Sequence, residues 1–116
     1  CWDIAAKLAG ISLNRMIGGY AQEVGVYGSG GSLSLSDEEL VAEAQSHATN
    51  GITAYKIKIG GGRDEERVAL LRAEMGDNFT LYTDANQSFN VREAIAASEW
   101  LADYNVAWQC HSDCRW

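Results

Sequence analysis

The sequence predicts an α/β fold built on a parallel sheet. Three observations carry this. Short apolar runs at 24–31, 54–59, 79–84 and 106–108 alternate with helical patterns. Their centres recur at roughly 25 to 30 residues, the spacing of βα units. Helix signals punctuate the intervals: Ser36 with Glu39 and Asn90 with Glu93 stand in capping-box positions, and Gly51 and Gly76 follow the apolar periodicity where helices end. Such alternation means parallel strands joined by crossover helices. Two closures fit, an open doubly wound sheet or part of a (β/α)8 barrel. A whole barrel takes about 250 residues, so four strands are at most half of one.

Each element has its own justification. Residues 2–17 read as a helix interrupted near Gly10, with Trp2, Ile4, Ala5 and Leu8 as its apolar stripe, ended by Gly18 and Gly19. Residues 24–31 read as a short strand running into a Gly-rich loop. In the helix that follows, Leu40, Val41, Ala44 and Ala48 form the buried stripe. Gly51 is expected in the left-handed conformation. In "DEERVALLRAEMG", acidic residues occupy the first turn, where the helix dipole favours them. Val68, Leu71 and Met75 face inward. In the last helix Ile95, Leu101 and Ala102 take the apolar side, before "VAW" opens the fourth strand.

Composition bounds the function. The 116 residues carry 16 acidic and 9 basic side chains, a formal net charge of −7. That disfavours nucleic acid, which needs a basic patch, but leaves room for a small anionic substrate. No apolar run approaches the ~20 residues of a membrane span, and no signal-peptide pattern stands at the start. Cys1, Cys110 and Cys114 are odd in number with no disulfide framework, which points to a reducing cytoplasm. Proline is absent, although a chain this long ordinarily holds roughly six.

Two motifs bear on chemistry. In "AYKIKIG" (54–60), Tyr55, Ile57 and Ile59 share one strand face, and Ala54, Lys56 and Lys58 share the other. An isolated strand of this kind could simply show a solvated lysine face. Strands of a parallel sheet, however, are usually covered on both faces. In a barrel the inward face at the C-terminal strand end is the active-site mouth. Two lysines there repel each other, which lowers the pKa of at least one and suits it to general-base work. In "TDANQSF", Asp84 and Asn86 are one residue apart and are expected to share a direction. A carboxylate and an amide oxygen are hard ligands suited to Mg²⁺, though the same residues also make ordinary strand-end turns. Lys56, Lys58, Asp84 and Asn86 all fall at C-terminal strand ends, where α/β active sites lie. The glycines at 28–31 and 60–62 match neither a dinucleotide fingerprint nor a P-loop, and read as flexible βα turns. "CHSDC" (110–114) matches no standard zinc spacing. His47 reads as a solvated helix residue.

Taken together, these stretches resemble the enolase superfamily, of the mandelate racemase and muconate-lactonizing type. "WDIAAKLAGISLNRMIGG" is similar to the helix and glycines before the barrel, and "VYGSGG" to its first strand. "YKIKIG" carries the family K-x-K. "DEERVALLRAEMGDNFTLYTDANQSF" carries the D-x-N strand with the helix before it. The likeness spans residues 2–108. It implies a partial TIM-type (β/α)8 barrel holding about the first four parallel strands and three intervening helices: 1–22 a helical segment preceding the barrel, 23–108 its first half, and 109–116 a divergent tail. The implied chemistry is Mg²⁺-assisted abstraction of a proton α to a carboxylate, giving an enediolate, as in racemases, epimerases and acid-sugar dehydratases. By this resemblance Lys58 matches the base. Lys56 matches the neighbouring cation that tunes it and contacts the substrate carboxylate. Asp84 matches the first metal ligand, and Asn86 a residue beside metal and substrate.

The pattern breaks after Trp108. The family continues with one residue and then Glu-Glu-Pro, whereas "QCHSDCRW" stands here and puts Cys110 at the second metal-ligand position. That reads as a truncated or frame-shifted reading frame, with weak or absent Mg²⁺ binding and an incomplete catalyst. Alternatives are a non-catalytic half barrel that self-associates into a homo-oligomer, and an open flavodoxin-like sheet binding anions at its glycine turns.

Overall fold

A computed structural model describes residues 1–20 and 23–110, the last two of them as backbone only. The elements run α1 (Trp2–Ala9), α2 (Leu13–Met16), β1 (Gly28–Ser29), α3 (Asp37–Thr49), β2 (Ala54–Lys58), α4 (Asp64–Met75), β3 (Thr80–Asp84), α5 (Val91–Asp103) and β4 (Val106–Cys110). Both expected capping boxes form. The Ser36 hydroxyl accepts from Glu39 N while Ser36 N donates to the Glu39 carboxylate, and Asn90 and Glu93 do the same for α5. Gly51 takes a φ of 80° past the end of α3, as expected. Gly10, at φ 66°, separates α1 from α2.

The strands lie in the order β1-β2-β3-β4, every pair parallel. A doubly wound sheet reverses its order at a switch point, so sequential order rules out the flavodoxin-like alternative. The sheet is also strongly curved. Tyr27, next to β1, and Trp108 on β4 are three strands apart, about 14 Å on a flat sheet, yet their ring centroids are 6.1 Å apart. One extra residue on β4, Ala107, between the pairings Leu81–Val106 and Tyr82–Trp108, adds to the bend. This is the curvature of a barrel wall, open at both edges.

The convex face carries the core. Tyr55 and Ile57 of β2 and Ile59 just beyond it are buried with Leu81 and Phe79 beneath Leu40 and Ala44 of α3, Val68 and Leu71 of α4, and Ala97 and Leu101 of α5. Each fully buried Leu or Ile stabilises by about 2 kcal/mol. Several expectations fail here. Trp2, Ile4 and Leu8 of α1 are exposed and only Ala6 is buried, because nothing in the described chain covers that stripe. Ala48, Ile95 and Ala102 face outward, since the contact arc of α3 and α5 is narrow and centres on Ala44 and Ala97. β1 spans only Gly28–Ser29, so the short strand expected within 24–31 forms in the glycine-containing stretch rather than before it. His47 is half-buried, its ring 5.4 Å from that of Tyr55.

Two arginines tie the layers together. Arg67, 4% exposed, donates through Nη2 to Gly31 O at 3.3 Å and Ser32 O at 2.7 Å, holding the loop after β1. Arg72 donates to the carbonyls of Gly76, Phe79, Tyr104 and Asn105, joining the end of α4 to the starts of β3 and β4.

Candidate functional site

The site is built on the concave face at the C-terminal ends of β2 and β3. Parallel pairing sets Lys56 beside Tyr82 and Lys58 beside Asp84. Because Tyr55, Ile57 and Ile59 are taken by the core, alternation sends both lysines to the concave side, as the sequence predicts. There Asp84 bridges them. Its Oδ2 accepts from Lys58 Nζ at 2.7 Å and from Lys56 Nζ at 3.2 Å. One carboxylate between two ammonium groups offsets their mutual repulsion, which is what permits the pair in a half-buried place. Lys56 also lies 5.7 Å over the Tyr27 ring, a cation–π contact. Beside it Tyr82 stacks on Trp108 with centroids 4.8 Å apart, and Tyr27 meets Tyr82 edge-on. An aromatic floor thus closes the bottom of the cluster.

Asn86 reaches the cluster by a different route from the one expected. β3 ends at Asp84, so the two-residue alternation of a strand does not extend to Asn86. Instead Asn86 and Gln87 adopt left-handed φ values of 47° and 67°, turning the chain back. Asn86 N donates to Asp84 Oδ1 at 3.1 Å, and Lys58 Nζ donates to Asn86 Oδ1 at 3.0 Å. Burial works against ionisation of Asp84, but the hydrogen bonds from Lys58, Asn86 N and Lys56 outweigh it and hold its pKa down to about 2. The carboxylate is therefore fully ionised at neutral pH.

A cavity of about 460 Å³ opens beside the cluster, with Ser32, Leu33, Glu43, Lys58, Asn86 and Ser88 on its walls. Glu43 is a feature the sequence did not single out. Its Oε2 accepts from Tyr55 Oη at 2.8 Å and from Gly31 N at 3.1 Å, fixing the end of β1. Polar spacing on α3 alone could not reveal it, because its partner lies on the opposite side of β2 from the lysines. In the glycine turns Gly60 N and Gly61 N donate to Asp64, and Gly30 N donates to Lys56 O, so these three amides are already engaged.

The described residues do not fit Mg²⁺. Among them no three of His, Cys, Asp and Glu gather as a metal-binding group. Beside the lysines, Asp84 Oδ2 and Asn86 Oδ1 already accept from ammonium groups, and Asp84 Oδ1 accepts from Asn86 N. Mg²⁺ takes near-octahedral oxygen ligation. Backbone register places Cys110 opposite Asp84, and a thiol is a soft ligand ill-suited to Mg²⁺. The remainder of "CHSDC", 111–114, lies outside the described residues.

A four-stranded, curved, sequential parallel sheet with paired lysines and a carboxylate at its strand ends defines part of a TIM-type barrel wall. Residues 39–109 match the enolase C-terminal domain-like family, and the chain belongs to it. It is 36% identical over 110 residues to a 3,6-anhydro-alpha-L-galactonate cycloisomerase of Streptomyces coelicolor, covering 92% of this chain and 30% of that protein. It is 32% identical to an L-talarate/galactarate dehydratase of Salmonella typhimurium, covering 92% of this chain and 28% of that one. A racemase structure from Streptomyces coelicolor with bound magnesium superposes with a TM-score of 0.86 at 35% identity, over 93% of this chain and 33% of that one. The chain therefore spans about a third of the relatives it matches.

Proposed function

We propose that this chain carries the base-bearing part of a site that abstracts a proton α to the carboxylate of a small acid, forming an enediolate as racemases, epimerases and acid-sugar dehydratases do. In this reading 23–108 are the first half of the barrel and 1–22 precede it. The convergence of Lys56 and Lys58 on one Asp84 oxygen at the strand ends carries the reading. Lys58, nearer the cavity, is the base. Lys56, held over Tyr27, receives the substrate carboxylate, and Asn86 orients it. An amine takes a proton only through a free lone pair, so Lys58 acts in its neutral form, released from Asp84 and Asn86. A metal ion, were one held beside the site, would supply charge stabilisation at the forming enediolate. Asp84 is bonded to both lysines, and the described residues form no ligand shell for such an ion, so the described part of the site is an incomplete catalyst.

The test is binding separated from turnover. Galactarate and a dipeptide, titrated into the chain with NMR detection, are expected to shift the Lys58 and Asn86 signals, and Lys56→Ala is expected to abolish the shift. Exchange of the substrate α-proton in D₂O is expected to be undetectable. Failure of both acids to perturb those signals would sink the site assignment. Measurable exchange that Lys58→Ala removes would instead show the catalyst to be complete.

A further inference from the structure

We propose that Glu43 and Arg67 are positioning residues for the base: they grip the backbone at Gly31, and through it set the strand end from which Lys58 reaches the cavity. This role rests on the reading of Lys58 as the base. Paired residues of β1 and β2 end at Ser29 and Lys56, yet two hydrogen bonds continue the ladder. Gly30 N donates to Lys56 O at 3.1 Å, and Lys58 N donates to Gly31 O at 3.2 Å. The backbone of both lysines is therefore tied to two consecutive glycines. Glycine is the most permissive residue, so these two hold the lysines only as firmly as other groups hold them. Ser32 and Leu33, which follow, line the cavity together with Lys58 and Asn86. Whatever places Gly31 thus places one wall of the cavity as well.

Two charged side chains do so. Glu43 Oε2 accepts from Gly31 N at 3.1 Å, and the hydroxyl of Tyr55 donates to the same oxygen at 2.8 Å and fixes the carboxylate. Glu43 also lies hard against Gly30, where a Cβ would overlap its carboxylate. Arg67 Nη2 donates to Gly31 O at 3.3 Å and to Ser32 O at 2.7 Å. One residue is thus held at its amide by an anion and at its carbonyl by a cation, and hydrogen bonds to charged groups are the stronger kind. Stability alone would not choose Arg67. It is 4% exposed, and among the described residues its Nε and Nη1 have no partner. Burying unpaired donors is costly, and apolar side chains of similar volume often replace buried charges without loss. What the guanidinium gives in return is a fixed loop.

NMR titration of galactarate and the dipeptide into the 116-residue chain tests this, with urea midpoints and amide hydrogen exchange measured alongside. Arg67→Met is expected to leave the midpoint unchanged or raised, to speed exchange at Gly31 and Lys58, and to weaken acid binding about tenfold, since small misplacements are costly in a shaped site. Arg67→Lys is expected to restore part of the affinity. Tyr55→Phe, which frees the Glu43 carboxylate, is expected to weaken binding about threefold. Ala97→Gly lowers the midpoint by weakening α5, away from Gly31, and is expected to leave the affinity unchanged. Wild-type affinity in both Arg67→Met and Tyr55→Phe overturns the proposal. So does an equal loss in Ala97→Gly, which would make the effect one of general stability. If the wild type binds neither acid, the site assignment fails by itself, and exchange decides the positioning: unchanged rates at Gly31 and Lys58 in both variants overturn it, and faster rates there, with α5 unaltered, uphold it. Should Arg67→Met not fold, Tyr55→Phe stands in for it under the same criteria.

Discussion

Asp84 shows how one side chain makes a costly arrangement stable. Two ammonium groups on successive concave-face positions of one strand would repel at close range, and each would lose hydration. The carboxylate between them satisfies both, and Asn86 N and Oδ1 complete the network. Asp84→Asn removes the charge and keeps the shape, leaving two unneutralised cations half-buried. Stability is expected to fall by about 1–3 kcal/mol, read as a lower urea midpoint, and Lys56→Met in the same chain is expected to recover part of it. An unchanged midpoint for Asp84→Asn would mean that solvent already screens the lysines. Tyr55 is the second residue with a clear titration consequence. Burial, and then its hydrogen bond to Glu43, push its pKa up. A group whose folded pKa is raised gives stability that is complete below its unfolded pKa, near 10, and is lost as pH rises beyond it. Stability should therefore decline above about pH 10, and the difference between wild type and Tyr55→Phe should shrink over that window. A difference constant with pH would contradict the assignment.

At the scale of elements, backbone geometry decides which glycines matter. Gly31 ends β1 at φ 61°, and a Cβ there would stand 2.7 Å from Ile57 Cγ1 and 2.9 Å from Ile57 Cα. Gly10 has nearly the same φ, 66°, but open space around it. Gly31→Ala combines conformational strain with a clash against a core strand, and is expected to cost more than about 2 kcal/mol. Gly10→Ala carries the strain alone and is expected to cost about 1 kcal/mol. Thermal melts of the two variants compare them directly, and equal losses would show that the contact with Ile57 is relieved cheaply. Ser36→Ala breaks one capping box and is expected to cost about 1 kcal/mol. These signals are local, which is why the starts and stops of α3, α4 and α5 were legible in the residues themselves. The faces of the helices were not. Ala48, Ile95 and Ala102 are apolar and correctly spaced, but burial depends on where the neighbouring layer stops.

Across the whole molecule, the outcome is a wall rather than an enclosure. The core lies on the convex side between the sheet and α3, α4 and α5, and the side that would be a barrel lumen is lined by Tyr27, Lys56, Lys58, Tyr82, Asp84 and Trp108. With Asp84 engaged by two lysines and no further carboxylate gathered beside it among the described residues, Mg²⁺ has little to bind. Millimolar Mg²⁺ is expected to leave the thermal midpoint unchanged. A rise of several degrees would reveal binding to the folded state, since a ligand that prefers that state stabilises it by mass action.

Periodicity, caps and glycines were enough to read strands alternating with helices, and alternation was enough to send Lys56 and Lys58 to one face, because side-chain direction in a strand is set by the backbone alone. The K-x-K and D-x-N motifs, recognisable as motifs in the sequence, pointed to the strand ends where the cluster stands. Tertiary structure decided the rest. Sequential strand order and curvature separated a barrel wall from a doubly wound sheet, since both are written with the same alternation. It turned Asn86 back through left-handed backbone instead of along the strand, and it set Asp84 between the lysines and Glu43 behind them. It left the α1 stripe uncovered. The meetings of Glu43 with Gly31, of Lys58 with Asp84 and of Lys58 with Asn86 join residues 12, 26 and 28 positions apart, and a local pattern holds no record of which distant groups will meet.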